Sequence, residues 1–161
     1  MAGISRDDNM VPYTALDAYS VAVCAPTAFA GATTNARGDN DGTSDPYTLF
    51  TVTGDVLVRI FGVCSVTLTG ANATLEVGVA GNTAALIAQE TGTDIDANGI
   101  FISATQVAGA VALASVPGPF LIVNGLDIIE TVGTADVTAG NIYYVCFWRP
   151  VSPGSTVVST V

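Results

Sequence analysis

Histidine and lysine are absent from this sequence, and four arginines are its only basic side chains. Histidine is the commonest general base and lysine a common amine nucleophile, so acid–base or covalent chemistry would fall to carboxylates, hydroxyls and thiols alone. Glu76, Glu90 and Glu130 are the only glutamates. A glycosidase needs two carboxyl groups facing each other across a bond, and nothing in the spacing brings any two of these together. Glu76 and Glu130 fall in strand-like runs, where an outward, solvated carboxylate is expected. The chain therefore reads as non-enzymatic and without a cofactor.

Charge is also scarce. Only 11% of residues are charged, against a hydrophobic share of 50%, where an average soluble domain is about a quarter charged. The few charges are one-sided, fourteen acids against four arginines, for a net charge of −10. Arg6, Arg37, Arg59 and Arg149 form no basic stripe, so neither DNA nor RNA is expected as a partner. A surface built largely from Thr, Ser, Asn, Gly and Ala, on so apolar a chain, implies subunit contacts.

Long apolar runs are missing too. The longest apolar region, Val107 to Val123, is broken by Gly109, Pro117, Gly118 and Pro119, which leaves no span for a bilayer. The opening Met1 to Asp8 has acids where a signal peptide has a basic start. Cysteines number three, Cys24, Cys64 and Cys146, with no CxxC pair. Buried free thiols are expected, and synthesis in a reducing compartment.

What is present is β pattern. Residues 1–46 lack periodicity apart from a short run at 19–24, and read as an extended N-terminal arm. Residues 47–150 read as the β domain and 151–161 as a C-terminal tail. From Asp55 to Thr69 one face carries Val56, Val58, Ile60, Cys64, Val66 and Leu68, with Arg59, Ser65 and Thr67 opposite. Leu57, Phe61 and Val63 share that opposite face, so something else is expected to cover it.

The turn at 70–72 predicts a hairpin with the next run, in which Leu75, Val77 and Val79 point inward. Asn124-Gly125, between two apolar runs, predicts a second hairpin. The run at 84–88 fits a strand or a short helix, and 104–115 is ambiguous. Residues 142–148 are apolar on both faces, as in a central or an interface strand. The fold class is all-β, an antiparallel β-sandwich or jelly roll with an extended N-terminal arm.

Candidate sites are few. Leu57, Phe61, Val63, Tyr143, Phe147 and Trp148 are the candidate interface residues. The terminal aromatics could instead stack on sugars, although a strand this apolar favours packing. Asp94, Asp96 and Asn98, followed by Gly99, match the opening of a calcium loop. The closing glutamate is missing, its place taken by Thr105, so an ordinary turn is the better reading and no metal is assigned. Asp39, Asp41 and Asp45 form a similar acidic group.

Three stretches carry a family resemblance: Gly54 to Val63, Leu75 to Gln89, and Asp136 to Pro150. They resemble small β proteins of tailed-bacteriophage heads, of the capsid decoration or head auxiliary type. The resemblance covers residues 50–150 and implies a homotrimer on the exterior of the virion. It would be bound to the major capsid protein, bridge its subunits, and be assembled in the bacterial cytoplasm without nucleic-acid or membrane contact. Head-fibre, tail or baseplate components, and a carbohydrate- or receptor-binding module, are the alternative placements.

Overall fold

The computed structural model describes residues 19–43 and 45–161, and the expectation of an arm over residues 1–18 lies outside them. Among the described residues eleven strands form two antiparallel sheets. They are β1 (Ser20–Cys24), β2 (Tyr47–Thr53), β3 (Val56–Thr69), β4 (Thr74–Val79), β5 (Asn82–Thr91) and β6 (Gly99–Phe101). The rest are β7 (Val107–Ala108), β8 (Phe120–Ile122), β9 (Ile128–Gly133), β10 (Ala139–Pro150) and β11 (Thr156–Ser159). One sheet, here sheet A, runs β1-β10-β3-β6-β7, with β8 also paired to β3. Sheet B runs β11-β2-β9-β4-β5. The expected all-β sandwich is the observed fold.

Alternation builds the core. Along β3 the even positions Val56, Val58, Ile60 and Cys64 are buried, as are Ile142, Tyr144 and Cys146 along β10. Leu75, Val77, Ile128 and Val132 answer them from sheet B. Val66 breaks the sequence expectation: it is 55% exposed. Register shifts where β10 passes Cys64, Val66 and Thr69 add residues to the pairing and rotate Val66 out of phase.

Both predicted hairpins are corrected. β3 lies in sheet A and β4 in sheet B, so the turn at 70–72 carries the chain across the sandwich rather than back along it. Asn124 and Gly125 do take positive φ, 59° and 66°, as their residue types favour. Yet β8 pairs with β3 while β9 pairs with β2 and β4. Turn chemistry sets the reversal; the burial of both flanking runs sets which sheet each joins. A tight hairpin does form at β4–β5, where Val79 pairs with Asn82 and Gly81 has φ 85°. The ambiguous run at 84–88 is strand, inside β5. The stretch 104–115 is mostly irregular, holding only β7 and a 3-10 turn at Leu113–Ser115.

Residues 19–43 belong to the sandwich. β1 pairs along β10, and the following segment is stitched to the β9–β10 connection. Phe29 N–H donates to Gly140 O at 2.9 Å and Val137 N–H to Gly38 O at 2.9 Å. Gly38 sits at φ 101°, and a Cβ there would lie 2.3 Å from Val137 O, so only glycine permits this approach. The tail returns as β11 on the edge of sheet B, where the Thr160 hydroxyl donates to Thr48 O at 2.7 Å.

Candidate interaction surface

Arg37 and Glu130 form a buried ion pair in the interior. Arg37 Nε donates to Glu130 Oε1 at 2.8 Å, and its Nη2 to Oε2 at 2.6 Å. Tyr144 Oη also donates to Glu130 Oε2 at 2.6 Å, and Arg37 Nη1 reaches Thr27 O at 2.8 Å. The guanidinium carbon lies 3.8 Å from the Phe29 ring centroid. Glu130 is fully buried, which corrects the expectation of an outward, solvated carboxylate.

Burial alone would pull the Arg37 guanidinium down, but the Glu130 carboxylate outweighs it and holds the group above its ordinary value. Burial, reinforced by Glu130, raises the Tyr144 phenol well above its ordinary range. Every polar atom of this fork is used inside the protein. It ties residues 27–37 to both sheets, and its bidentate geometry offsets the desolvation of two charges.

The other sequence candidates are dispersed. Glu76 projects from the outer face of sheet B, bonded to Gln89 at 3.2 Å, so it and Glu130 point to opposite faces of that sheet. Asp94, Asp96 and Asn98 are exposed. The Asp96 backbone is clasped by the Gln106 amide, with bonds of 2.9 and 2.8 Å, and Asn98 turns at φ 66°. Asp39 accepts the Asn35 N–H at 2.6 Å, and Asp45 accepts the Val132 N–H at 2.8 Å. Among the described residues no three acidic or thiol side chains converge as metal ligands. All three cysteines are buried and free, and burial pushes the Cys146 thiol up to about 12, as expected for thiols acting as small hydrophobes.

A cleft of about 190 Å³ opens between Ala84, Ala85 and Ala88 of β5 and Ile102, Pro117 and Phe120. It carries no titratable side chain, so it offers space without chemistry. Among the described residues no helix is long and apolar enough to cross a membrane.

What the strands do bring together is the outer face of sheet A. Registry places Val23 beside Val145 and Val145 beside Phe61; in the next row Val21 stands beside Phe147 and Phe147 beside Arg59. Tyr143, Val63, Ile100 and Val107 form a third row, and Arg149, Leu57 and Leu121 a fourth. The Phe61 and Phe147 rings stack at 6.1 Å between centroids. Val21, Val23 and Leu121 are more than half or half exposed, at 55%, 50% and 58%. Such a run of apolar side chains across adjoining strands, outside the core, is uncommon for a lone soluble domain.

Five of the six sequence candidates, Leu57, Phe61, Val63, Tyr143 and Phe147, share this face. Trp148 does not: it lies on the even, inward side of β10 and packs partly buried against the core. The aromatic cluster of β10 is thus split, with Tyr144 and Trp148 inward and Tyr143 and Phe147 outward. Sequence reasoning missed Val21, Val23, Ile100 and Leu121, whose strands are too short to reveal a face by alternation. It also missed that the face holds two arginines, Arg59 and Arg149, and no carboxylate on its strands. No family model, curated protein or solved structure matches this chain.

Proposed function

We propose that the chain is a non-catalytic structural subunit that docks into a larger protein assembly through the outer face of sheet A. The observation that carries this reading is the apolar lattice on that face, centred on the Phe61–Phe147 stack. Burying side chains of this kind contributes about 25 cal/mol per Å² of apolar surface removed from water, and the interior of the sandwich is closed without them.

The assembly is assigned as a tailed-phage head, with the chain as a capsid decoration protein that bridges major capsid subunits. That assignment rests on the resemblance of residues 50–150. A net charge of −10 agrees with a place on the outer surface, away from packaged DNA.

The test is to add purified protein to heads that lack it and image them by electron cryo-microscopy. Density at regular exterior sites, in hundreds of copies, is expected, with sheet A turned to the shell. Finding the chain only in tail or baseplate would overturn the head assignment. Attachment through sheet B instead would overturn the docking face.

A further inference from the structure

We infer that the protein surface on which sheet A docks is itself apolar and carries carboxylates that meet Arg59 and Arg149. This deepens the docking reading and rests on it: the face is the same, and the chemistry of its partner is added. The first ground is how charge is sorted across the molecule. None of the fourteen acidic residues falls in any of the six strands of sheet A, while two of the four arginines do. A chain of net charge −10 therefore offers its partner a sheet with two guanidiniums and no strand carboxylate.

The second ground is that both guanidiniums lack a counter-charge. Arg37 has Glu130 at 2.6 Å, but among the described residues neither Arg59 nor Arg149 has a carboxylate partner. Arg59 Nη1 donates to Val116 O at 2.5 Å, and the Arg149 guanidinium carbon lies 5.7 Å from the Tyr19 ring centroid. Registry sets Arg59 beside Phe147 and Arg149 beside Leu57, within the apolar rows rather than beyond them. A partner that covers the Phe61–Phe147 stack thus comes to lie over both arginines. Desolvating a cation is unfavourable unless an opposite charge meets it, and the guanidinium fork matches a carboxylate with two parallel hydrogen bonds.

The third ground is what other occupants would meet. A second copy's identical face would set arginine against arginine, and like charges brought together across an interface are costly. Anionic membranes are held by clusters of about four to eight basic residues. This face has two, on a molecule that is acidic elsewhere.

The experiment uses the full chain and a small probe of the inferred chemistry, octanoate, with octylammonium as its charge-reversed match. Binding is followed by NMR of methyl and arginine side-chain groups. Octanoate is expected to shift Leu57, Leu121 and Val145 together with the Nε–H groups of Arg59 and Arg149. Its half-saturating concentration on this face should be at least tenfold below that of octylammonium. Arg149→Gln, at an exposed position, should narrow the difference at least threefold, and adding Arg59→Gln should abolish it. On heads, Arg149→Glu should weaken attachment at least tenfold.

Octylammonium binding this face as tightly as octanoate overturns the inference, as does octanoate gathering instead at the cleft of Ala88, Ile102 and Phe120. A tenfold preference that survives both arginine changes overturns the arginine pairing, and so does attachment of Arg149→Glu within twofold of the unaltered chain. Shifts of the same methyls with protein concentration alone would give the face to a second copy. Co-sedimentation with vesicles of phosphatidylcholine and phosphatidylserine would give it to a membrane; either result overturns the inferred partner. Loss of octanoate selectivity leaves the head-binding result standing, and failure of head binding leaves the selectivity standing.

Discussion

The two outer faces of this sandwich were built by the same alternation and ended with opposite chemistry. Sheet B turns Thr51 and Thr53 of β2 and the Glu76–Gln89 pair outward. These side chains satisfy water, and a sheet with one wet face is the ordinary antiparallel arrangement. Sheet A turns Leu57, Phe61, Val63, Val145 and Phe147 outward, in rows that continue through β1 and β8. Sheet A is apolar on both sides. The same core could have been made with threonines there, and the difference is what the proposed docking face rests on.

The largest expected effect separates interior from exterior. Arg37→Met leaves the Glu130 carboxylate buried without its partner, and removing one member of a buried pair costs about 3–5 kcal/mol. Urea unfolding should lose that much. A loss below about 1 kcal/mol would mean that the Arg37 fork does not close the sandwich and that the outer face contributes more to folding than supposed.

Phe61→Asp or Phe147→Asp addresses the outer face itself. Attachment to heads should weaken at least tenfold, about 1.4 kcal/mol, while the isolated protein keeps cooperative unfolding. Should either variant unfold in isolation, that residue serves the core and the contrast between the faces is lost.

Thr51→Asp is the matched change on sheet B. Surface substitutions away from special features usually stay within about 0.5 kcal/mol. No change in attachment or in urea midpoint beyond that size is expected, and a large loss of attachment would move the docking surface to sheet B.

The smallest effect is pH-dependent and lies at the edge of sheet B. Glu90 is 7% exposed, and its Oε2 has no hydrogen-bond partner among the described residues. Burial, reinforced by Asp94, raises its pKa above the ordinary carboxylate value. The folded state therefore holds this proton more tightly than the unfolded chain, and stability from this group is gained as pH falls through the folded pKa. Glu90→Gln should raise Tm near neutral pH, and the advantage should vanish as the pH drops through that value. A Tm difference that stays constant from neutral to acid pH would show that the charge of Glu90 is not its cause.

Alternation and turns led to the β-sandwich, apolar excess to the docking reading and the resemblance to the phage head; the structure establishes the sandwich. Period-two alternation made β3 and the inward set Leu75, Val77 and Val79 legible, because one buried face imposes that pattern locally. Leu57, Phe61 and Val63 were legible for the same reason, as apolar residues on the side that should have been wet.

Pairing was not legible. The turns at 70–72 and 124–125 have the residues a reversal requires, yet each crosses between sheets. A turn fixes direction over a few residues, while sheet choice depends on which distant strands bury each run. Glu130 shows the same limit: its partner Arg37 lies 93 residues away, and nothing near either residue announces the other. Val66 fell out of phase because the bulge depends on β10, a partner strand that arrives late in the chain.

By itself, the sequence determined that this chain makes strands, that its chemistry lacks imidazole and amine groups, and that apolar residues exceed what one face needs. All three follow from residue type and local period. Only the tertiary structure decided that the excess gathers into one lattice on sheet A, that Trp148 turns inward, and that Arg59 and Arg149 sit within that lattice. Those outcomes depend on the registry between strands remote in sequence, which burial of the shared core sets.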